Sequence, residues 1–142
     1  MKIFSVIEAE ELLPTLKTNL EKIFHLNQTL KAVSADIDSL IDIWGEDVYK
    51  HNHVDNGYYT DLASKQQEVM KHLQDEMMKI NQLGCFVKDI ERGLVDFYYE
   101  LNDEVVFLCW RYGEDKINHW HALNSGFTGR RPLRDLFAFN RQ

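Results

Sequence analysis

Several features that assign a chain to a class of protein are scarce or missing from this sequence. No stretch reaches the ~18 uninterrupted apolar residues of a membrane-spanning helix, and the N-terminus lacks the basic and then apolar layout of a secretion signal. Only two cysteines occur among 142 residues, which is typical of a reducing compartment, although two cysteines can still form one disulfide. We therefore expect a cytoplasmic protein without a membrane partner, in which Cys85 and Cys109 are buried small residues.

Basic residues are also in the minority, and the first part of the chain has no arginine. The formal net charge is −7, which disfavours nonspecific binding of nucleic acid by the whole surface. Residues 1–84 carry eight lysines and fourteen acidic residues, whereas residues 116–142 carry five basic residues and one acidic residue. The chain is therefore acidic first and basic last, and we expect no nucleic-acid partner.

The remaining composition is that of an ordered domain. A hydrophobic content of 44%, with 12% aromatic residues, excludes a disordered chain, which needs low hydrophobicity and high charge. A chain of this length buries enough surface to fold without disulfides or metal ions. We therefore expect a single domain over residues 1–142.

The first part of that domain has the periodicity of a long helix. Ser5 and Glu8 have the spacing of a capping box, in which each side chain accepts a hydrogen bond from the other residue's backbone N–H. From Leu12 to Trp44, residues of one seam recur every three or four positions, and only Asn19 interrupts their apolar character. Pro14 lacks a backbone N–H, so it should kink this helix or mark its true start.

A second helix should fold back on the first. Residues 45–57 are polar and lack apolar periodicity, so we interpret them as the loop of a hairpin. The second helix runs from about Tyr58 to Leu83, and Gly84 is suited to end it. The result is an antiparallel helical hairpin over residues 6–83. Its first helix would be ~58 Å long, which exceeds the width of a compact domain of this size. We therefore expect self-association through that helix, with a dimer favoured.

After Gly84 the apolar period changes from that of a helix to that of a strand. Three segments rich in aromatic and branched residues, separated by two short turns, occupy residues 85–90, 94–101 and 104–111. They predict a three-stranded antiparallel meander over residues 85–111. A loop-rich tail follows over residues 112–142 and contains a short apolar piece at Leu133–Phe139. The predicted fold class is α+β, with the helical hairpin packed on the meander.

The lengths of the two turns set the register of the meander. A three-residue turn places Lys88 opposite Asp96, and a two-residue turn places Asp96 opposite Cys109. Lys88, Asp96 and, diagonally, Arg111 then share one face of the sheet. The other face is apolar and is predicted to pack on the helices.

Several motifs of the chain together resemble a known family. They are Phe4–Ser5, Leu12–Pro14, Gly84–Ile90, Gly93–Phe97, Leu108–Glu114, Trp120–His121 and Gly126–Leu133. Over nearly its whole length the chain is similar to an uncharacterised bacterial and archaeal family called domain of unknown function 2203. Since the family has no established activity, the resemblance implies no role for any residue. The chain departs from the family at Tyr98-Tyr99, where smaller residues are typical.

Charged side chains from the strands and the tail are predicted to meet in one pocket. The candidate ligand-binding residues are Lys88, Asp96, Arg111, Glu114, His121, Arg130 and Arg131. Guanidinium groups offer paired donors that fit a carboxylate or a phosphate, and the acids and the histidine can transfer protons. The same residues can instead form an ion-pair network that holds the tail, so both interpretations stay open.

Two groups of histidines are candidate metal ligands. His119 and His121 share a face if they lie on a strand, and Glu114 can serve as a third ligand or orient a histidine. The histidines and the aspartate of residues 51–55 form a weaker candidate, because no fourth ligand is in view. The alternatives are histidines that bond the backbone and solvated loop residues. Cys109 is not expected to act as a nucleophile on an apolar central strand.

Three classes of function remain. The preferred one is a noncatalytic interaction protein that self-associates through the helical hairpin and recognises a partner with its sheet and tail. The second is a protein or enzyme that binds a small anionic molecule with the Lys88, Asp96, Arg111, Arg130 and Arg131 cluster. The third is a metal-binding protein. No motif of known mechanism occurs, so the sequence leaves open whether the protein is an enzyme and indicates no particular cofactor.

Overall fold

Helices form the first part of the chain, as the periodicity predicts. In the computed structural model, which describes residues 1–134, α1 spans Val6–Glu11, α2 spans Leu13–Trp44 and α3 spans Asn56–Gln82. The capping box is confirmed, because the Ser5 side chain accepts from the Glu8 backbone N–H and the Glu8 side chain accepts from the Ser5 N–H, both at 3.1 Å. The break near Pro14 is also confirmed, since α1 ends three residues before it. Proline there cannot donate to the backbone carbonyl of Glu10.

Two compact units make up the chain, and residues 22–76 form one of them. Within this unit α2 and α3 are adjacent and antiparallel, and the Gln66 side-chain amide donates to the Ser34 hydroxyl at 3.1 Å. The connection is more ordered than the predicted loop, because a 3-10 helix occupies Gly45–Tyr49. Its Val48 is fully buried, and the Val48 carbonyl accepts from the Asn56 side chain at 3.1 Å.

The second unit, residues 1–21 and the chain from Met77 onward, contains the sheet. Up to residue 134 this sheet has five strands in chain order, each antiparallel to its neighbours. They are β1 Phe86–Asp89, β2 Leu94–Leu101, β3 Glu104–Arg111, β4 His119–Ala122 and β5 Arg131–Pro132. The predicted meander is therefore extended by two strands from the tail that was expected to be loop-rich. Strands of four and two residues are too short to reveal a two-residue period.

The predicted register holds for one strand pair and not for the other. Asp96 lies opposite Cys109, as predicted, and the two turn residues between β2 and β3 have the positive φ angles of a tight hairpin turn. Between β1 and β2, however, Phe86 and not Lys88 lies opposite Asp96. Two features each shift the pairing by one residue: the turn has four residues, 90–93, so that Asp89 lies opposite Leu94, and a bulge at Lys88 adds a residue to β1.

The two faces of the sheet differ in polarity. Val95, Phe97, Leu108 and Trp110 are fully buried on one face, and the Phe97 ring meets the Phe4 ring edge-on at 5.3 Å. The opposite face carries Asp96 and the residues aligned with it on β3 and β4. Its polar groups therefore converge where these three strands run side by side.

The apolar seam of α2 is largely buried within one chain. Buried members are Leu16, Ile23, Val33, Ile37 and Leu40, whereas Leu26 and Leu30 are half-buried. This burial weakens the reason for expecting a second copy against the whole seam, so the dimer stays a prediction. Within residues 1–134, every helix is too short or too polar to cross a membrane. The predicted apolar piece at Leu133–Phe139 lies largely outside the described residues.

Candidate functional site

A cavity of 130 Å³ lies on the polar face of the sheet. Its polar lining includes Lys88 from β1, Asp96 from β2, Cys109 from β3 and His121 from β4. Phe127, in a 3-10 helix over Phe127–Gly129, lines it as well. Because Cys109 lies directly opposite Asp96 and β4 pairs with β3 on its other side, regular strand geometry brings the three side chains together.

Asp96 and His121 form a buried pair beside this cavity. They are 2% and 4% exposed, and His121 Nε2 lies 3.0 Å from Asp96 Oδ2. His121 Nδ1 lies 2.8 Å from the Ala122 carbonyl oxygen, which can only accept, so Nδ1 carries a proton. One further proton is then shared between Nε2 and Oδ2. Imidazole with carboxylic acid and imidazolium with carboxylate are both neutral overall, so the pair adds no net charge to the cavity.

The Asp96 carboxyl is not fully satisfied. Burial raises its pKa, while His121, Cys109 and Lys88 act in the opposite direction. Its second oxygen, Oδ1, is buried and has no hydrogen-bond partner in the part of the chain described, residues 1–134. Buried polar atoms are usually paired, so this free acceptor is one that a donor or a cation in the cavity would satisfy.

Cys109 completes this group. It is 1% exposed, and its sulfur lies within 4.8 Å of donor atoms of Asp96 and His121. Burial, and then the nearby Asp96 carboxyl, raise the pKa of the Cys109 thiol to about 12. The thiol is therefore protonated at neutral pH, which is unfavourable for nucleophilic catalysis. Both cysteines are free and buried, as predicted.

A second cluster joins Glu114, His119 and Arg130. Arg130 Nη2 donates to Glu114 Oε1 at 2.7 Å and to Oε2 at 2.9 Å. The same nitrogen lies 2.9 Å from His119 Nδ1, which must accept because a guanidinium only donates. Burial, and then the Arg130 charge, lower the pKa of His119 against the effect of Glu114. His119 is therefore the neutral form with its proton on Nε2. Arg130 pairs with Glu114 through Nη2, while the buried Arg130 Nε has no hydrogen-bond partner among residues 1–134.

Three arginines surround the Phe127 ring. The guanidinium carbons of Arg130, Arg92 and Arg111 lie 4.8, 5.5 and 5.9 Å from its centroid, within the range of cation–π contact. Arg111 also lies opposite Leu94, which lines the cavity. Positive charge is therefore concentrated around the Phe127 ring, which forms part of the cavity wall.

Arg131 lies elsewhere. It pairs with Trp120 across β4 and β5, and its guanidinium carbon is 5.6 Å from the Trp120 ring. Trp120 points away from the face that carries His119 and His121, because side chains alternate along a strand. Of the seven candidate residues, the structure thus gathers Lys88, Asp96 and His121 in the cavity with Arg111 near it, pairs Glu114 with Arg130 beside it, and separates Arg131.

Comparison with protein families adds one finding. A family model described as an uncharacterized conserved protein, DUF2203, matches residues 2–133. The chain belongs to the DUF2203 family. No curated protein and no solved structure matches the chain. The matched segment contains every cavity residue of this DUF2203 protein.

Two of the three metal ligands predicted for this DUF2203 protein, His119 and Glu114, lie together, with His119 Nδ1 3.6 Å from Glu114 Oε2, but the three do not form one ligand group within residues 1–134. Arg130 occupies His119 Nδ1 and the Glu114 carboxylate, while His121 faces Asp96. Within residues 1–134 the potential ligands that do gather are Asp96, Cys109 and His121. In the connection between α2 and α3, His53 accepts from the Asp55 backbone at 3.0 Å, which is a structural role.

Two residues of the site escaped sequence reasoning. The sequence places Cys109 in the core, although the predicted register sets it opposite Asp96, a buried polar residue. Arg92 lies in the turn before β2 and carries no motif. Its position over Phe127 depends on how the tail folds back on the sheet, and no local pattern predicts that.

Proposed function

We propose that this DUF2203 protein binds a small anionic molecule in the cavity beside Asp96 and His121. The observation that carries the proposal is that Lys88, which lines this cavity, and Arg111, which lies over the Phe127 ring of its wall, have no salt bridge to any residue of 1–134. Unpaired surface cations are common and contribute little by themselves. Here, however, Lys88 lines the cavity and Arg111 lies near it, and the buried acid and histidine of that cavity form a neutral pair, so the two positive charges are not offset from within.

The other arginines at Phe127 are partly neutralised. Arg130 is held by Glu114 at 2.7 Å, and Arg92 lies 3.8 Å from Asp89. Lys88 is oriented over the Phe107 ring, with Nζ 4.8 Å from the centroid. Lys88 and Arg111 therefore supply the net positive potential that would attract an anion to the cavity.

The size and polarity of the cavity limit the ligand. A volume of 130 Å³ corresponds to about four molecules of liquid water at roughly 30 Å³ each. Asp96 Oδ1 offers a buried acceptor, which fits a hydroxyl or an amino group. We therefore expect a small carboxylate or phosphate that also carries such a donor, with its charged group toward Lys88 and Arg111.

Differential scanning fluorimetry in the presence of a chelator tests the proposal. Phosphate and small hydroxy- and amino-carboxylates are compared with their uncharged amides or esters, since a ligand that binds only the folded state raises its melting temperature. Titration calorimetry then measures Kd for the best anion. Lys88→Ala or Arg111→Ala should each weaken binding about 10- to 100-fold, the equivalent of one charge-assisted hydrogen bond.

Arg131→Ala is the matched control. It removes the same charge as Arg111→Ala but from the opposite face of the sheet, so Kd should change less than about twofold if binding is local. Equal losses in the two variants would show that only overall charge matters. The proposal also fails if no anion of either class raises the melting temperature.

Self-association is a second candidate function, and one observation favours it. Large apolar side chains are exposed where α2 ends, along the connection, and where α3 begins. They are Ile43, Trp44, Tyr49, Val54 and Tyr58, with exposed fractions of 41% to 82%. Contiguous exposed apolar surface often marks an interface. A second copy of the chain is the partner we propose, and light scattering is the test.

A further inference from the structure

We propose that Asp96, Cys109 and His121 bind one divalent transition-metal ion, and that zinc fits this donor set best. One carboxylate oxygen, one sulfur and one imidazole nitrogen lie within 4.8 Å of one another, and all three residues are buried. Zinc combines these ligand types in proteins. The inference goes beyond the proposed anion site, because it concerns a cation and can be tested without any anionic ligand.

The strands hold the three donors near the spacing that a metal requires. Asp96 lies directly opposite Cys109 on β2 and β3, and His121 lies opposite Phe107, two residues from Cys109. In a tetrahedral zinc site with Zn–S near 2.3 Å and Zn–N or Zn–O near 2.0 Å, donors are roughly 3.3–3.6 Å apart. The largest separation here must therefore shrink by about 1 Å, which side-chain rotation can supply without movement of the sheet.

Two independent observations favour an ion over a purely structural role. His121 Nδ1 donates to the Ala122 carbonyl oxygen at 2.8 Å, which turns Nε2 toward Asp96. Metal-binding histidines are oriented in the same way by their other nitrogen. In addition, Asp96 Oδ1 is buried and has no partner among residues 1–134. A hydrogen-bonded pair that served only the fold would be expected to satisfy that oxygen.

The cavity provides the remaining coordination position. Asp96, Cys109 and His121 all line it, so an ion held by them would have one side open to a space of 130 Å³. Zinc sites with three protein ligands and an open position accept water or an anion as the fourth ligand. The small anion proposed above would then bind the ion at one end and Lys88 or Arg111 at the other.

Charge balance makes burial of the ion feasible. Without metal, one proton is shared by Asp96 and His121 and a second is on the Cys109 thiol. Binding Zn²⁺ displaces both protons, so two positive charges enter and two leave. Lys88 faces this group from β1, and Arg130 and Glu114 act on Cys109 from the tail. Arg130 and Glu114 are paired, so Lys88 is the cation that repels the metal ion. Lys88 lies at the exposed edge of the cavity.

Cobalt substitution tests the site in the full chain. The protein is stripped with a chelator, dialysed, and titrated with Co²⁺ and then Zn²⁺ in a chloride buffer free of other anions. We expect one ion per chain, a thiolate-to-cobalt charge-transfer band, its loss on addition of Zn²⁺, and release of about two protons per ion. Cys109→Ala should abolish the band and weaken zinc binding at least 100-fold. Cys85→Ala, which removes the other buried thiol, should leave both unchanged.

Absence of the thiolate band in the unaltered protein overturns the proposal, and so does a band that persists in Cys109→Ala or disappears in Cys85→Ala. If Cys109→Ala does not fold, Asp96→Asn serves as a second variant, since it keeps the side-chain shape but should weaken zinc binding at least tenfold. Because the anion titrations contain chelator and the metal titrations contain no anion, failure of one proposal leaves the other measurable.

Discussion

Replacing Arg130 by methionine should destabilise the fold, because Arg130 is the central residue of the cluster that it forms with Glu114 and His119. The Arg130 side chain is 12% exposed and that of its partner Glu114 is 24% exposed. In Arg130→Met, the donor that Glu114 keeps among residues 1–134 is the backbone N–H of Arg111 at 2.7 Å, and His119 Nδ1 loses its donor. A charged group that loses its partner in a half-buried setting costs about 2–3 kcal/mol, between the values for exposed and fully buried pairs.

The assay compares two adjacent arginines. For a chain of this length, a loss of about 2–3 kcal/mol lowers the melting temperature by roughly 10 °C. Arg131→Met makes the same chemical change at the next residue, where the side chain is exposed, and should cost less than about 1 kcal/mol. Urea unfolding followed by tryptophan fluorescence measures both variants.

A double-mutant cycle separates the pair from its surroundings. If Glu114→Gln and Arg130→Met act through their mutual contact, the double variant should be more stable than the sum of the single losses predicts, by about 1–2 kcal/mol. Equal stability of Arg130→Met and Arg131→Met would refute this reasoning. It would mean that the 2.7 Å contact contributes no more than an ordinary surface ion pair.

Two further outcomes are expected. The pKa of His119 is lowered in the folded protein. Its contribution to the free energy of unfolding should therefore be complete above the unfolded pKa of ~6.5 and decline as the pH falls below that value. An NMR titration in which His119 titrates at or above its unfolded pKa would contradict this. If the chain dimerises through α2, light scattering should report twice the chain mass, and Leu30→Glu at a half-buried position should give monomers or unfolded protein. Ala32→Glu, at an exposed position of the same helix, should leave the dimer intact. A protein that is monomeric at all concentrations would refute dimerisation through α2.

Local signals were enough to predict much of this fold. The capping box at Ser5, the break near Pro14 and the change of period after Gly84 each depend on a few neighbouring residues, and all three are present in the structure. The pairing of Asp96 with Cys109 was predictable because a two-residue turn permits one register. Between β1 and β2 the same logic failed, because the turn has four residues instead of the predicted three and β1 contains a bulge at Lys88, which leaves no clear trace in the sequence.

The site was harder to predict because it depends on the tail. His119 and His121 take their positions from pairing with β3, and the tail strands are too short to be detected from periodicity. The sequence predicts a shared site for Arg130 and Arg131, yet adjacent residues entering a strand point to opposite faces. One of them therefore binds Glu114 beside the cavity and the other lies over Trp120. Knowing that both are arginines could not distinguish them.

Burial of three polar residues on the sheet needs an explanation, which is either a function or stabilising interactions elsewhere that offset its free-energy cost. Asp96, Cys109 and His121 occupy central positions where apolar residues of similar size would usually give equal or greater stability. Their neutral protonation state removes most of the cost of burial, but it leaves Asp96 Oδ1 unpaired. The cluster of Glu114, His119 and Arg130 contributes no donor to that oxygen, although Arg130 also donates to the Cys109 carbonyl oxygen at 3.4 Å. The Cys109 thiol acts on the Asp96 carboxyl as a weak donor, and the cavity is the other source of a partner, since a donor group of a ligand or a metal ion would both supply it.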